Sequence, residues 1–267
     1  MTPIHVDGQG RLVSAFVAAA LVGVLGGLVG LGGAEFRLPL LLVMFGIAAL
    51  QAVILNKAMS LVVVSAALIF RSTAVPLSEV AAHWSIVANL LAGSLLGAWS
   101  AAGWATRWQG ATLQRVIAVL LVVIAVVLLA GHGYGPRRPP LDGLWLLLAG
   151  AVAGLLIGVV ASLLGVAGGE LLIPTLVLLF GVEIKLAGSL SLAVSLPTML
   201  VGFARYSQDR SFAVLRANRA FVLAMTAGSI VGAAIGGLCL GIVPADILLP
   251  GLAAILVVSA FKAWRHA

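Results

Sequence analysis

The chain has 267 residues, 63% of them hydrophobic and 9% charged, with a mean hydropathy of +1.23. Roughly 25% of the residues of an ordinary soluble domain are charged, so this composition excludes a water-soluble globular protein and specifies an integral membrane protein. The net charge of +7 would suggest nucleic acid as the partner of a soluble chain. Here the basic residues are thinly spread among loops, where Lys and Arg set membrane orientation, so the expected surroundings are membrane lipid and no nucleic acid.

The opening run "MTPIHVDGQGR" lacks the basic n-region and small-residue cleavage site of a signal peptide, so it is expected to be mature sequence. Five apolar segments follow, at residues 12–31, 38–46, 48–70, 84–104 and 115–131. After "HGYGPRRPPLD", whose Pro, Gly and charge mark a linker, five more run over 143–166, 171–181, 186–204, 218–242 and 245–262. Most approach the ~20 residues that a spanning helix needs, and the second of each five falls short. The expected fold is an all-α polytopic membrane protein with repeat one over 1–131, a linker over 132–142 and repeat two over 143–267.

The halves repeat each other. A shift of 135 residues lays "GLVGLGGAEFRLPLLLVMFG", from Gly27, on "SLLGVAGGELLIPTLVLLFG", from Ser162. The shared residues are Leu28/Leu163, Gly30/Gly165, Gly33/Gly168, Glu35/Glu170, Pro39/Pro174, Leu41/Leu176, Phe45/Phe180 and Gly46/Gly181, and the register continues through Ala52/Ala187, Ser60/Ser195 and Leu61/Leu196. Common Leu would follow from composition, but Gly, Glu and Pro in one register in so charge-poor a chain specify a duplication. Five crossings per half would turn the second repeat upside down, the inverted plan of many secondary transporters. On that topology ten basic residues share the side of the termini (Arg11, Lys57, Arg107, Arg115, Arg205, Arg210, Arg216, Arg219, Lys262, Arg265). Five lie opposite (Arg37, Arg71, Arg137, Arg138, Lys185), so both termini are expected in the cytoplasm.

Bare backbone in hydrocarbon costs several kcal/mol per unsatisfied group, so helices broken at "GLGGAE" and "GVAGGE" must lie in the protein interior or line a wet cavity. Gly30, Gly32 and Gly33 in the first motif, and Gly165, Gly168 and Gly169 in the second, are candidate substrate-binding residues. Pro39 and Pro174 fall near the start of the short segments, where a missing N–H is harmless. Half-helix N-termini with free amides attract anions, and two such ends would meet around one small anion. Glu35 and Glu170 leave two readings open: each carboxylate caps its short helix, or it carries a proton that couples anion movement to the proton gradient. Arg37 faces Leu172 in the other repeat and either touches substrate or snorkels to the interface. In the third segments Asn56 and Ser60 correspond to Ser191 and Ser195; this i, i+4 spacing puts them on one helix face, either lining an anion path or bonding between helices. Lys57 either neutralises an anion or marks the interfacial end of its segment.

The Gly pairs 26/30, 93/97, 150/154, 154/158, 228/232 and 232/236 suit close helix packing, and the single Cys239 is expected to pack rather than to bridge. The histidines, His5, His83, His132 and His266, fall in termini or loops, and no metalloprotease, nucleophile-elbow or phosphate-loop motif occurs. No catalytic residue, metal ligand or cofactor is therefore expected, which disfavours an intramembrane enzyme or a nucleotide-driven pump. A passive anion channel stays open beside a carrier.

The duplicated Gly-rich turn with its Pro, "GLGGAEFRLP" and "GVAGGELLIP", followed by "LLVMFG" and "LVLLFG" and by "SLSLAVS" in the next segment, resembles the TauE/SafE sulfite exporter family. The likeness covers both halves. It implies a secondary carrier for sulfite, organosulfonates or another small organic anion in a bacterial-type plasma membrane, with a homo-oligomer left open. The family's usual glycine triplet and following apolar residue are altered here, since Ala34 and Ala167 replace glycines and Glu35 and Glu170 occupy the apolar place.

Overall fold

A computed structural model describes residues 9–29, 33–71, 75–130, 141–238 and 245–265. Gly30, Gly32, Cys239 and most of the inter-repeat linker lie outside these segments. Among the described residues the chain is helical throughout, without strands. The first half comprises α1 (Gln9–Val29), α2 (Ala34–Pro39) continued by a π turn (Leu40–Met44), α3 (Ala49–Arg71), α4 (Leu77–Ala82), α5 (Trp84–Ala105) and α6 (Gly110–Ala130). The second comprises α7 (Gly143–Leu164), α8 (Gly169–Phe180), α9 (Ile184–Tyr206), a 3-10 turn (Arg210–Ala213), α10 (Val214–Ala217), α11 (Arg219–Leu238) and α12 (Ala245–Arg265). The short α4 and α10 occupy stretches expected as loops.

Six of these stretches are long and apolar enough to cross a membrane: Ala49–Leu68, Trp84–Ala105, Gly110–Val127, Gly143–Leu164, Lys185–Tyr206 and Arg219–Gly236. Burial follows a bilayer solvent. Leu144, Trp145, Val152 and Leu156 on α7 and Val119 and Val126 on α6 are exposed, whereas Glu35, Arg37, Asn56, Lys57 and Glu170 are buried. Ionisable groups inside a membrane protein face the interior because hydrocarbon cannot solvate them. The chain is a polytopic membrane protein.

Helix starts recur at the offset seen in the sequence: Ala34 and Gly169, Ala49 and Ile184, Trp84 and Arg219, Gly110 and Ala245 are each 135 residues apart. Contacts cross between the halves. α1 packs along α11 and α7 along α5, while α6 meets α12 and α3 meets α9. The glycine pairs explain how close the first two contacts are. A methyl at Gly23 would stand 2.6 Å from the Ser229 carbonyl oxygen, and one at Gly93 would stand 2.6 Å from the Leu155 amide. These helices meet backbone to backbone, as small residues permit in a membrane.

Both short helical segments end alike. Ile47 donates to the Leu41 carbonyl at 3.0 Å and Val182 to the Leu176 carbonyl at 3.1 Å, each one residue past a glycine of positive φ, Gly46 or Gly181. This six-residue closure satisfies carbonyls that a helix end would otherwise leave bare. The repeated "FG" pairs, Phe45–Gly46 and Phe180–Gly181, are thus the stops of two half-helices that turn back into α3 and α9.

Candidate functional site

Two helix breaks form the centre. α7 stops at Gly165 (φ 68), and α8 begins after Gly168 (φ 79); α2 begins after Gly33 (φ 72). All three are left-handed conformations that only glycine adopts freely. Glu35 and Glu170 are the second residues of α2 and α8, and Pro39 and Pro174 are the sixth. The prolines therefore sit deeper than the first-turn position expected from the sequence. There the absent N–H withholds the i+4 donor from the carbonyls of Glu35 and Glu170.

Asn56 on α3 draws the two breaks together. Its Nδ2 donates to the Ala34 carbonyl at the first break and to the Leu164 carbonyl at the second, both at 3.0 Å. Beside this clamp the carboxyl groups of Glu35 and Glu170 stand within interaction range of each other, and Arg37 within range of Glu35. All four oxygens are buried, and among the described residues no strict donor meets them, but each carboxyl lies near its own residue's amide and the two stand close enough to share a proton. The N-cap glycines Gly33 and Gly168 offer no side-chain cap of their own, and the carboxyls reach only as far as their own residues' amides.

Arg37 is fully buried, so it does not snorkel. Its Nε donates to Asn56 Oδ1 at 2.8 Å, Nη1 to Ser229 Oγ at 2.9 Å, and Nη2 to Ser60 Oγ at 2.5 Å and to the Asn56 carbonyl at 3.4 Å. Four of five guanidinium hydrogens thus go to neutral oxygens on α3 and α11. Ser60 and Asn56, expected as path-lining groups, are the walls of this cage.

Lys57, also fully buried, points the other way from Asn56. Its Nζ donates to Ser162 Oγ at 3.4 Å and stands 5.7 Å from the centroid of the Tyr206 ring. Ser162 Oγ in turn donates to the Ala98 carbonyl at 3.0 Å, and Tyr206 Oη to the Ser162 carbonyl at 3.0 Å. Among the described residues no carboxylate joins this group. Lys57 is therefore no interfacial marker but a cation set between α3, α5, α7 and α9, against Gly202, where a methyl would come within 2.7 Å of Nζ.

The second repeat is plainer. Ser195 donates to the Ala167 carbonyl at 2.7 Å, pinning the turn, and Ser191 donates within its own helix to Gly188 at 2.8 Å. Leu172, opposite Arg37 in register, is buried among apolar neighbours. Of the expected residues, Gly33, Glu35, Pro39, Asn56, Ser60, Gly165, Gly168, Gly169, Glu170, Pro174 and Ser195 gather at the two breaks, while Ser191 turns back on its helix. Ser162 and Tyr206 were missed because no hydroxyl repeats at the 135-residue offset, where Gly27 and Arg71 stand; Ser229 has Ser94 at its place in the other half. That last correspondence was the available signal; Ser94 bonds Thr198 Oγ1 at 2.7 Å rather than a cation.

Membrane-spanning helices closed around two broken helices and a buried set of carboxyl, guanidinium and ammonium groups define a polytopic transport protein. The chain belongs to the sulfite exporter TauE/SafE family, whose family model matches residues 15–263. No curated protein and no solved structure matches it. Membership makes it a transporter of the sulfite-exporter type, and the match spans both breaks.

Proposed function

We propose that the protein is a secondary carrier moving sulfite or small organosulfonates across the plasma membrane, with the Glu35–Glu170 pair as the coupling site. The observation that carries the reading is the family match over nearly the whole chain. The site supports it with opposite charges in separate places. Lys57, buried with no carboxylate beside it among the described residues, is a ready contact for an anion at the Gly165 turn, since an uncompensated buried cation is costly. The glycine turns add backbone amides at the start of α8.

The two halves are read as inverted repeats joined by residues 132–142. Setting aside the buried Arg37 and Lys57, nine basic residues against four still favour termini in the cytoplasm. Alternation of access then amounts to rocking of the halves against each other about the two breaks, with the facing carboxyls loaded by a proton in one of the two states.

The test is uptake of radiolabelled sulfite into proteoliposomes with and without a proton gradient, with sulfate, taurine and sulfoacetate as competitors. Gradient-driven accumulation that Glu170→Gln abolishes while counterflow persists supports the coupled carrier. Flux that only dissipates the sulfite gradient identifies a channel, and absence of flux for every anion overturns the substrate class.

A further inference from the structure

The outer side of the first break has no part in the carrier reading. There α2 and its π turn pack against α12, and between them, with α1 on the third side, lies a cleft of about 430 Å³. Phe36, Leu40 and Met44 line it from α2 and the π turn, and Ala254, Val258 and Lys262 line it from α12. Each set advances eight positions, which in a helix is about 12 Å. One leaflet of a bilayer has about 15 Å of hydrocarbon, so the cleft is nearly as long as a leaflet is deep.

Its polarity is graded along that length. Every lining residue is apolar except Ser259 and Lys262, which stand in the last two turns of α12 with Trp264 and Arg265 beside them. Trp and basic residues gather where a helix leaves the hydrocarbon. Arg265 lies over the Phe261 ring, 4.7 Å from its centroid, whereas Lys262 is exposed and, among the described residues, has no hydrogen bond or ion pair. An apolar trough with one free cation at its mouth complements an amphiphile that has an acyl chain and an anionic head. A spanning helix of a second copy, apolar along its length, would leave that cation without a counter-charge. The other half offers no such mouth: Ile124 and Val127 stand 135 residues before Ser259 and Lys262, on α6 where it meets α8.

We infer that the cleft binds one anionic phospholipid per chain, with an acyl chain laid between α2 and α12 and the headgroup phosphate on Lys262. The deep end of the acyl chain meets Phe36, which stands between Glu35 and Arg37 in the sequence. An occupied cleft therefore braces the first break from the lipid side. The site does not depend on which anion is carried.

The test is native mass spectrometry of the full chain released from nanodiscs with equal amounts of phosphatidylglycerol and phosphatidylcholine of matched chains. One retained phosphatidylglycerol per chain is expected, favoured about fivefold over phosphatidylcholine, the factor to which ~1 kcal/mol for one lysine near an anionic surface corresponds. Lys262→Gln is expected to keep a lipid and lose the preference, and Ala254→Trp, which fills the trough, to retain neither; both positions are exposed, so the fold tolerates the changes. Amide exchange along α2 is expected to be slower in phosphatidylglycerol than in phosphatidylcholine for the native chain and equal in the two for Lys262→Gln. No retained lipid, equal retention of the two lipids by the native chain, or a preference that Lys262→Gln leaves unchanged overturns the site. Equal exchange in the native chain overturns the bracing of the break. A dimer that Ala254→Trp dissociates overturns the lipid in favour of a second copy in the cleft. Neither readout involves flux, so failure here leaves the carrier intact, and failure of sulfite uptake leaves the lipid site intact.

Discussion

The two helix breaks share a frame of glycine, glutamate and proline and differ in what surrounds it. At the first, all six residues of α2 are buried, the helix relaxes into a π turn, and Arg37 ties it to α3 and α11 through Asn56, Ser60 and Ser229. At the second, α8 continues as twelve helical residues, Leu172 fills Arg37's place in register, and one bond from Ser195 holds the turn. The first half carries the cations Arg37 and Lys57 where the second has Leu172 and Leu192 in register. A pair of carboxyls at matching positions thus lies in an asymmetric field.

The comparison is broken most severely by Arg37→Leu, which gives the first break the second's residue. It strips the acceptors Asn56 Oδ1, Ser60 and Ser229 of their donor and leaves Glu35 without its cationic neighbour; removing one member of a buried charged group costs about 3–5 kcal/mol. Thermal unfolding in detergent is expected to show the lowest midpoint of the series, and Leu172→Arg is not expected to restore it because no hydroxyl cage exists on that side.

Asn56→Ala removes both ends of the clamp and one Arg37 acceptor. Leaving buried partners unsatisfied costs about 1–3 kcal/mol, and the same unfolding experiment, with faster limited proteolysis near the breaks, reads the loss. Next come Gly33→Ala and Gly168→Ala. Each forces a left-handed residue at about 1–2 kcal/mol, but the new methyl at Gly33 meets the Val22 carbonyl oxygen at 2.6 Å, whereas at Gly168 it meets only side-chain carbons of Ile157 and Ala161, the nearer at 3.2 Å. Gly33→Ala is expected to be the worse of the two, and equal effects would mean that the first break is the looser.

Ser191→Ala sharpens the contrast from the other end. The hydroxyl bonds only its own helix, so its loss is expected to change stability by at most ~0.6 kcal/mol, against the larger effect at its counterpart Asn56. A drop in sulfite affinity at unchanged stability would instead place Ser191 on the anion path.

Much of the fold was legible in the residues. Length and composition dictated the bilayer, because so few charges cannot solvate a surface in water. The 135-residue register located both breaks, and positive-φ glycines now occupy Gly33, Gly46, Gly165, Gly168 and Gly181 as the turns required. Arg37 was ambiguous because snorkelling and burial demand the same residue, and only the partners supplied by α3 and α11 decide between them. The glutamates left two readings open because local spacing allows a side chain to reach its own helix's amides without revealing that a second carboxyl faces it across the repeat.

What the sequence determined by itself was local and periodic: where the chain is apolar long enough to span, where glycine and proline break it, and that it does so twice in one register. Those properties follow from backbone sterics and from the cost of bare peptide groups in lipid, which act over a few residues at a time. The tertiary structure alone decided which charges meet. The cage of Arg37, the separate place of Lys57 and the apposition of Glu35 with Glu170 join residues from 19 to more than a hundred positions apart, and no local preference fixes distances across helices that are brought together only when the whole bundle packs.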